Sequence, residues 1–218
     1  MTTVFVAGAN GQTGRRIVAR LVEAGYDVRG LVREPEHQHD LEQAGATCYI
    51  GDLTTSFSDG LKGADVVICA VGAGISGVPE HVDHVGTVRL IEQSVLDHIS
   101  RFVLISSMGT QNPNEMPDFL KPYLIAKRKA EQVLEESGMN YTIIRPGGLT
   151  NAPGTGKVKA SIAYGQSGLV SRDDVALAAV HALSIPQTDR KSFDLVEGEH
   201  EVKDALTGLH ARTQEHTE

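Results

Sequence analysis

The chain has 218 residues, 40% of them hydrophobic and 22% charged, with a formal net charge of −8. This suits a globular chain long enough to bury a sizeable core without disulfide staples. The acidic balance, with 5% aromatic residues and no tryptophan, argues against a nucleic-acid surface and against an anionic-membrane surface.

Strand-like and helix-like segments alternate along the chain. Thr3–Gly8 is a short apolar run ending in glycine, followed by Ile17, Val18, Leu21 and Val22 at helical spacing up to Gly25. Asp27–Arg33 reads as a second strand. Pro35–Gly45 reads as a polar helix with proline at its start and glycine at its stop. Ala46–Asp52 is a third strand, Ser58–Ala64 a short helix or turn, and Asp65–Gly72 the most apolar strand. A long helix over Val82–His98 places Val85, Val88, Ile91 and Val95 at helical spacing. A fifth strand, Arg101–Ser107, leads through the polar loop Met108–Lys121 into a helix at Pro122–Ser137. Asn140–Gly147 is a sixth strand, Ser171–Leu183 a helix with Ser171 or Asp173 near its cap, and Ser192–Gly198 a last strand. Only Gly147–Val170, rich in Gly, Ala, Ser and Thr, breaks the alternation, and it follows a strand end, where ligands bind in such sheets.

Valine- and isoleucine-rich strands alternating with helices imply an α/β fold with a doubly wound parallel sheet covered on both faces. Cys48 and Cys69 lie inside apolar strands, which fits two buried thiols in a reducing compartment. The N-terminus runs straight into a strand without a cationic, apolar and cleavage-site sequence, and no apolar run approaches the ~20 residues that span a bilayer. The expectation is a cytoplasmic protein.

The stretch VFVAGANGQTGRR (Val4–Arg16) holds Gly8, Gly11 and Gly14 at a spacing of three, between a strand and a helix. Such a turn needs positive φ and close backbone approach to a ligand, and the helix start offers free N–H groups to a diphosphate. Five residues between Gly8 and Gly14, followed by Arg15-Arg16, exclude a nucleoside-triphosphatase loop. Asn10 stands where the second glycine of G-x-G-x-x-G would be. Gly8, Asn10, Gly11, Gln12, Thr13 and Gly14 are therefore assigned to dinucleotide binding. The alternative is a glycine turn kept only for packing. The second strand ends in GLVREP, with Arg33 at the tip in place of the acidic residue that usually contacts an NAD ribose. An arginine there can pair a 2′-phosphate, so the reading favours NADP over NAD. Arg15 either adds a second cation or faces solvent.

With GANGQTG, GDL (Gly51–Leu53), ISS (Ile105–Ser107), YLIAK (Tyr123–Lys127) and RPG (Arg145–Gly147) in this order, the chain resembles the short-chain dehydrogenase/reductase superfamily. It is most similar to the atypical, NAD(P)-binding, epimerase/dehydratase-like and NmrA-like branch, over about residues 3–200. The resemblance implies a Rossmann-like sheet of about seven strands in the order 3-2-1-4-5-6-7. It implies one domain over 1–210, with a small substrate cap at 147–170 joined by the loop Met108–Lys121, and a frayed tail at 211–218. It also implies that Asp52 binds the adenine amino group and that Leu53 lies along the adenine. Ala70, Val71 and Gly72 would line the adenosine ribose and the nicotinamide side, with Pro146 and Gly147 by the nicotinamide. Ser107, Tyr123 and Lys127 match the family's catalytic positions.

The chemistry is consistent with those residue types. Tyr123 and Lys127 are four apart, so a helix puts them on one face. A free phenol ionises near ~10. An adjacent ammonium favours the phenolate, as does the helix start signalled by Pro122. Ser107 at a strand end would hydrogen-bond a substrate oxygen. Glu80, His81, Asp83 and His84 have a spacing that can bind metal, but they read as a polar helix start, and no metal is assigned. His37 and His39 read as exposed helix.

Larger relatives acting on nucleotide sugars carry a longer C-terminal region, so this chain favours a small carbonyl compound. Two functions stand. One is an NADP(H)-dependent oxidoreductase, or an epimerase or dehydratase using the same hydride chemistry. The other is a non-catalytic NADP(H)-binding redox sensor acting through a protein partner. The expected state is a monomer or a homodimer, with Val82–His98 and Pro122–Ser137 as a dimer face by analogy.

Overall fold

The computed structural model describes residues 1–73, 78–162 and 167–209. Residues 163–166 of the expected cap and the expected tail at 211–218 lie outside the described residues.

Seven parallel strands run inward from one edge of the sheet. They are β1 (Thr3–Ala7), β2 (Asp27–Val32), β3 (Thr47–Ile50), β4 (Val66–Cys69), β5 (Arg101–Ile105), β6 (Tyr141–Pro146) and β10 (Lys191–Glu197), in the order β3-β2-β1-β4-β5-β6-β10. This is the order expected for seven strands, but the strand count needs correcting. Among the described residues the sheet has nine strands, because β8 (Lys157–Ser161) pairs antiparallel with β10 and β11 (His200–Glu201) pairs antiparallel with β8. A separate parallel ladder joins β7 (Gly148–Thr150) to β9 (Leu169–Ser171). The extra strands fall mostly in the stretch that broke the sequence alternation. β8 carries only two buried apolar side chains, Val158 and Ala160, and its pairing depends on a partner more than thirty residues away. β11 has two residues. The alternation in β8 spans only five residues, and β11 is too short to show any.

Side-chain alternation explains why the central strands read as continuous apolar runs. Val4, Val6, Ile68, Val103 and Ile105 face a cluster with α1 (Gln12–Glu23), α6 (Arg172–His181) and α7 (Val202–Thr207). Phe5, Ala7, Val67, Cys69, Phe102 and Leu104 face the opposite cluster with α3 (Ser58–Leu61), α4 (Thr87–Leu96) and α5 (Lys121–Glu136). Both faces are covered, so neither can be polar. The remaining helix, α2 (Gln38–Gln43), follows a short 3-10 turn at Pro35–His37 and packs Leu41 with the α1 layer. The helix expected over Val82–His98 is two pieces, a π-helical turn at Glu80–Gly86 and then α4.

From β1 the chain steps to β2 and β3 on one side, then returns to β4 and continues to β5 and β6 on the other. The order reverses between β1 and β4, and ligands bind at such a switch point, beyond the carboxyl ends of the strands. On the far side, α6 is started by Ser171, whose Oγ accepts from the Asp174 N–H at 2.9 Å and donates to Asp174 Oδ2 at 2.8 Å. Asp174 in turn accepts from the Thr155 and Gly156 N–H groups. Ser171→Ala should remove about 1 kcal/mol of stability, read as a fall of about 3 °C in melting temperature.

Candidate functional site

The first turn is built around backbone contacts that admit no side chain. Gly8 has φ +78°, and a Cβ there would lie 2.8 Å from the Ala70 carbonyl carbon and oxygen at the end of β4. A Cβ on Gly14 would lie 2.0 Å from the Gly8 oxygen. The Gly11 N–H donates to Gly8 O at 2.9 Å and closes the turn. α1 begins at Gln12 with no capping side chain and no acidic residue in its first turn. Its free N–H groups and partial positive charge therefore remain available to an anion. Arg15 is committed elsewhere: its Nε donates to Asn10 Oδ1 at 2.9 Å and its Nη1 pairs with Asp40 at 2.9 Å. It fixes Asn10 rather than offering a second cation.

The turn opens onto a cleft of about 1050 Å³. The cleft crosses the carboxyl ends of β3, β2, β1, β4 and β5, a reach of roughly 19 Å at about 4.8 Å per strand. Of the expected cofactor residues, Gly8, Asn10, Gly11, Gln12, Thr13, Arg33, Asp52, Leu53, Ala70, Val71 and Gly72 line it. Gly14 supports it from beneath. Arg33 is exposed at the tip of β2, beside Glu34 and His37, so His37 belongs to the cleft and not to an outer helix face. Asp52 Oδ1 accepts from the Thr54 N–H at 2.7 Å and from the Thr54 hydroxyl. Burial works against its charge, but those bonds, with Arg33 and Arg89 nearby, hold the carboxyl below its ordinary range. Leu53 is fixed by its carbonyl, which accepts from Arg89 Nη1 at 2.7 Å.

At the other end, Tyr123 and Lys127 both line the cleft from α5, with the ammonium 5.7 Å from the phenol ring centre. Lys127 is 3% exposed. Its Nζ donates to Val71 O at 2.9 Å and Ile105 O at 3.2 Å, and lies 3.1 Å from Asp83 Oδ1. Burial works against its charge, but Tyr123 and Asp83 outweigh it, and the ammonium is held well above its ordinary range. Asp83 is 1% exposed, and its other oxygen accepts from the Ala73 N–H at 2.9 Å. Its neighbours are turned to other work: His84 pairs with Glu80, which also pairs with Lys129. Among the described residues no group of three or more side chains is arranged to hold a metal.

The serine that faces the cleft from β5 is Ser106. Ser107 does not line it, and its hydroxyl donates to Met108 O at 3.1 Å. Strand alternation gives the reason, since Ser106 shares the α5 face with Leu104. Ser106 donates to Glu131 Oε1 at 2.6 Å. Glu131 also accepts from Thr110 at 2.9 Å, Arg128 at 3.0 Å, and Arg145 through Nε at 3.0 Å and Nη2 at 2.9 Å. Burial alone would raise the Glu131 carboxyl, but Arg145, Ser106 and Arg128 hold it below the carboxylate range. Pro146 and Gly147 do not line the cleft either. A Cβ on Gly147 would lie 2.3 Å from Gly168 O, so this glycine joins β6 to the β7–β9 ladder. Leu149 and Arg172 line the cleft instead, along with Phe119 and Leu120.

Sequence reasoning passed over Ser106, Glu131, Arg145 and Arg172, and read Asp83 only as a helix-start residue. Glu131 carried a signal, because it continues the Tyr123–Lys127 face one further turn along α5. Arg145, in the middle of a buried strand, needs an anionic partner and was a second signal.

Two measurements follow. Gly8→Ala puts strain on a positive φ and drives a methyl group into the end of β4, so it should lower the melting temperature by about 5 °C or more. Asp194, 5% exposed next to Arg145 on β10, has its carboxyl raised to about 6 by burial, with Arg145 opposing and Glu131 adding. Its unfolded value is near 3.8. Below that value the group is protonated in both states. As pH rises to about 6 only the folded state keeps the proton, so ionisation costs stability and the full cost is present above that pH. Asp194→Asn should therefore raise the melting temperature by several degrees at about pH 7.5, on the order of 2 kcal/mol, with the gain gone below about pH 4.

Similarity to known proteins identifies the family. A family model described as NAD(P)H-binding matches residues 8–186. The chain is 38% identical over 213 residues to the uncharacterized sugar epimerase YhfK of Bacillus subtilis (strain 168), covering 94% of this chain and 99% of that protein. It is 31% identical over 242 residues to sanguinarine reductase of Eschscholzia californica, covering 88% of each. Among solved structures, a Bacillus halodurans protein assigned as an NAD-dependent epimerase/dehydratase superposes with a TM-score of 0.92 at 30% identity, covering 96% of this chain and 100% of that one. The family match begins on the first glycine of the turn and runs past α6, and the chain accordingly belongs to the NAD(P)H-binding, epimerase/dehydratase-like branch of the short-chain dehydrogenase/reductase superfamily.

Proposed function

We propose that the protein is an NADP(H)-dependent oxidoreductase that moves a hydride to or from a small carbonyl or alcohol substrate. The observation that carries this is the cleft itself. A turn with no space for a Cβ at Gly8 or Gly14 opens onto a groove with a cation at the adenosine end and a phenol at the other. The fit to a dinucleotide rests on the space that a Cβ at Gly8 or Gly14 would fill, and on the uncapped start of α1. Gly8, Gly11 and the N–H groups of Gln12 and Thr13 would hold the diphosphate. Arg33 would hold the 2′-phosphate, and Asp52 the adenine amino group. When bound, the reduced nicotinamide supplies a hydride. Tyr123 would give or take the proton at the substrate oxygen. Phe119, Leu120 and Leu149 would shield that end from water. The names of the relatives, a reductase and an epimerase, support this class of chemistry. Cys48 and Cys69 are free thiols, which supports a cytoplasmic setting.

Titration with NADPH and NADH, followed by nicotinamide fluorescence, tests the reading. NADPH should bind more tightly, and Arg33→Ala should weaken it about tenfold while leaving NADH nearly unchanged. Failure to bind either cofactor would overturn the proposal. In a screen of carbonyl substrates, Tyr123→Phe should lower turnover by about 100-fold or more with cofactor affinity retained. Biological function that survives Tyr123→Phe but needs cofactor binding would identify a sensor instead.

A further inference from the structure

We propose that a second pocket, formed by α5, β6 and β10, binds a small anionic molecule through its phosphate or carboxylate groups. The proposal is independent of the oxidoreductase reading, because this pocket and the cleft share no lining residue among those described. Glu131 stands between them, taking Ser106 from the cleft side and Arg145 from the other.

The pocket has a volume of about 410 Å³, within the range of small-molecule sites. Four cations line it, Arg128, Arg145, Arg190 and Lys191, with one carboxylate, Glu135. Glu131 and Asp194 lie beside Arg145. With both counted as ionised, four cations against three carboxylates leave one positive charge in excess, in a chain whose net charge is −8. The sign of this pocket is opposite to that of the chain as a whole.

The cations also keep donors in reserve. Arg145 is 2% exposed, too buried to be a solvated surface charge. Glu131 takes its Nε and Nη2 at 3.0 and 2.9 Å, which leaves Nη1 with the Gln111 amide beside it. Arg128 reaches Glu131 and Glu135 through Nη1, at 3.0 and 3.1 Å, and its other nitrogens have no acceptor among the described residues. Neither Arg190 nor Lys191 forms an ion pair among the described residues. Arg190 has φ +54°, a left-handed backbone that costs a residue with a side chain roughly 1 kcal/mol. Its N–H anchors it by donating to Tyr141 O at 2.7 Å. Burial, and after it Glu135, raises the Tyr141 phenol, so this lining group stays protonated and adds a neutral donor. Guanidinium groups match the paired oxygens of phosphate and carboxylate. A cationic ligand would meet four like charges here. A bare phosphate fills only part of the volume, so the natural ligand carries a small organic body, and inorganic phosphate serves as the probe of its head group.

The test is a titration of isotope-labelled protein with phosphate, and separately with citrate, at constant ionic strength with chloride as the balancing anion. Amide NMR shifts locate the bound anion. The Tyr141, Arg190 and Lys191 amides should shift saturably, with a midpoint on the order of 1 mM. Arg190→Asn combined with Lys191→Gln should weaken the midpoint about tenfold or more, because two charge-assisted contacts are lost while asparagine tolerates the left-handed backbone. Arg33→Ala should leave it unchanged. Tighter binding of phosphate would assign a phosphoryl head group, and tighter binding of citrate a polycarboxylate. Shifts confined to Gly11, Gln12 and Thr13 would place the anion in the cofactor cleft and overturn the proposal. So would shifts that chloride reproduces, shifts that do not saturate by about 50 mM, or a wild-type midpoint in the double variant. If the double variant does not fold, the location and saturation of the wild-type shifts decide the question.

Discussion

The first turn of the chain leaves no room for a side chain at Gly8 or Gly14, and much of the molecule is arranged around that constraint. Gly8 crosses against the carbonyl of Ala70, and Gly14 sits on the carbonyl of Gly8. These contacts bring the start of α1 directly against the ends of β1 and β4. They aim its free N–H groups at the place where the strand order reverses. A bulkier turn would push α1 away from the sheet, and the cleft would lose both its floor and its positive end.

The far end of the cleft follows a different rule. There the groups are charged and buried, and each has been given a partner inside the protein. Lys127 with Asp83 and Arg145 with Glu131 are ion pairs with almost no exposure. Pairs of this kind contribute little net stability compared with well-packed apolar residues, but breaking one is costly. Their effect here is to fix the strand ends and the inward side of α5. Tyr123 then lines the cleft from a rigid support.

The rim of the cleft is apolar and open. Phe119 is 80% exposed, and Leu149 and Leu169 are also exposed nearby in the chain segments that follow β5 and β6. The segment after β6 is divided between two structures. β7 and β9 form their own ladder, while β8 extends the main sheet. Substrate contacts on this side would come from Leu149 and Arg172, where the ladder meets the start of α6.

The sequence by itself determined the alternating α/β order, the seven parallel strands and the glycine turn, because each is a local property. Apolar runs mark strands buried on both faces, and Gly8 and Gly14 mark a turn with no space for Cβ at either position. It also placed Tyr123 and Lys127 on one helix face, since four residues make about one turn. What it could not settle was where a polar group points once it is buried. Ser106 and Ser107 are adjacent and chemically identical, and only the strand's orientation in the sheet chose the one that meets α5. Asp83 looked like one of several polar residues at a helix start, and only the π-helical turn carried it to Lys127. β8 and β11 are too short for their patterns to stand out, and each is held by an antiparallel neighbour far along the chain. Local patterns record which face of an element is apolar. Partners for buried charges and edge strands are chosen by contacts between distant segments, and those exist only in the folded chain.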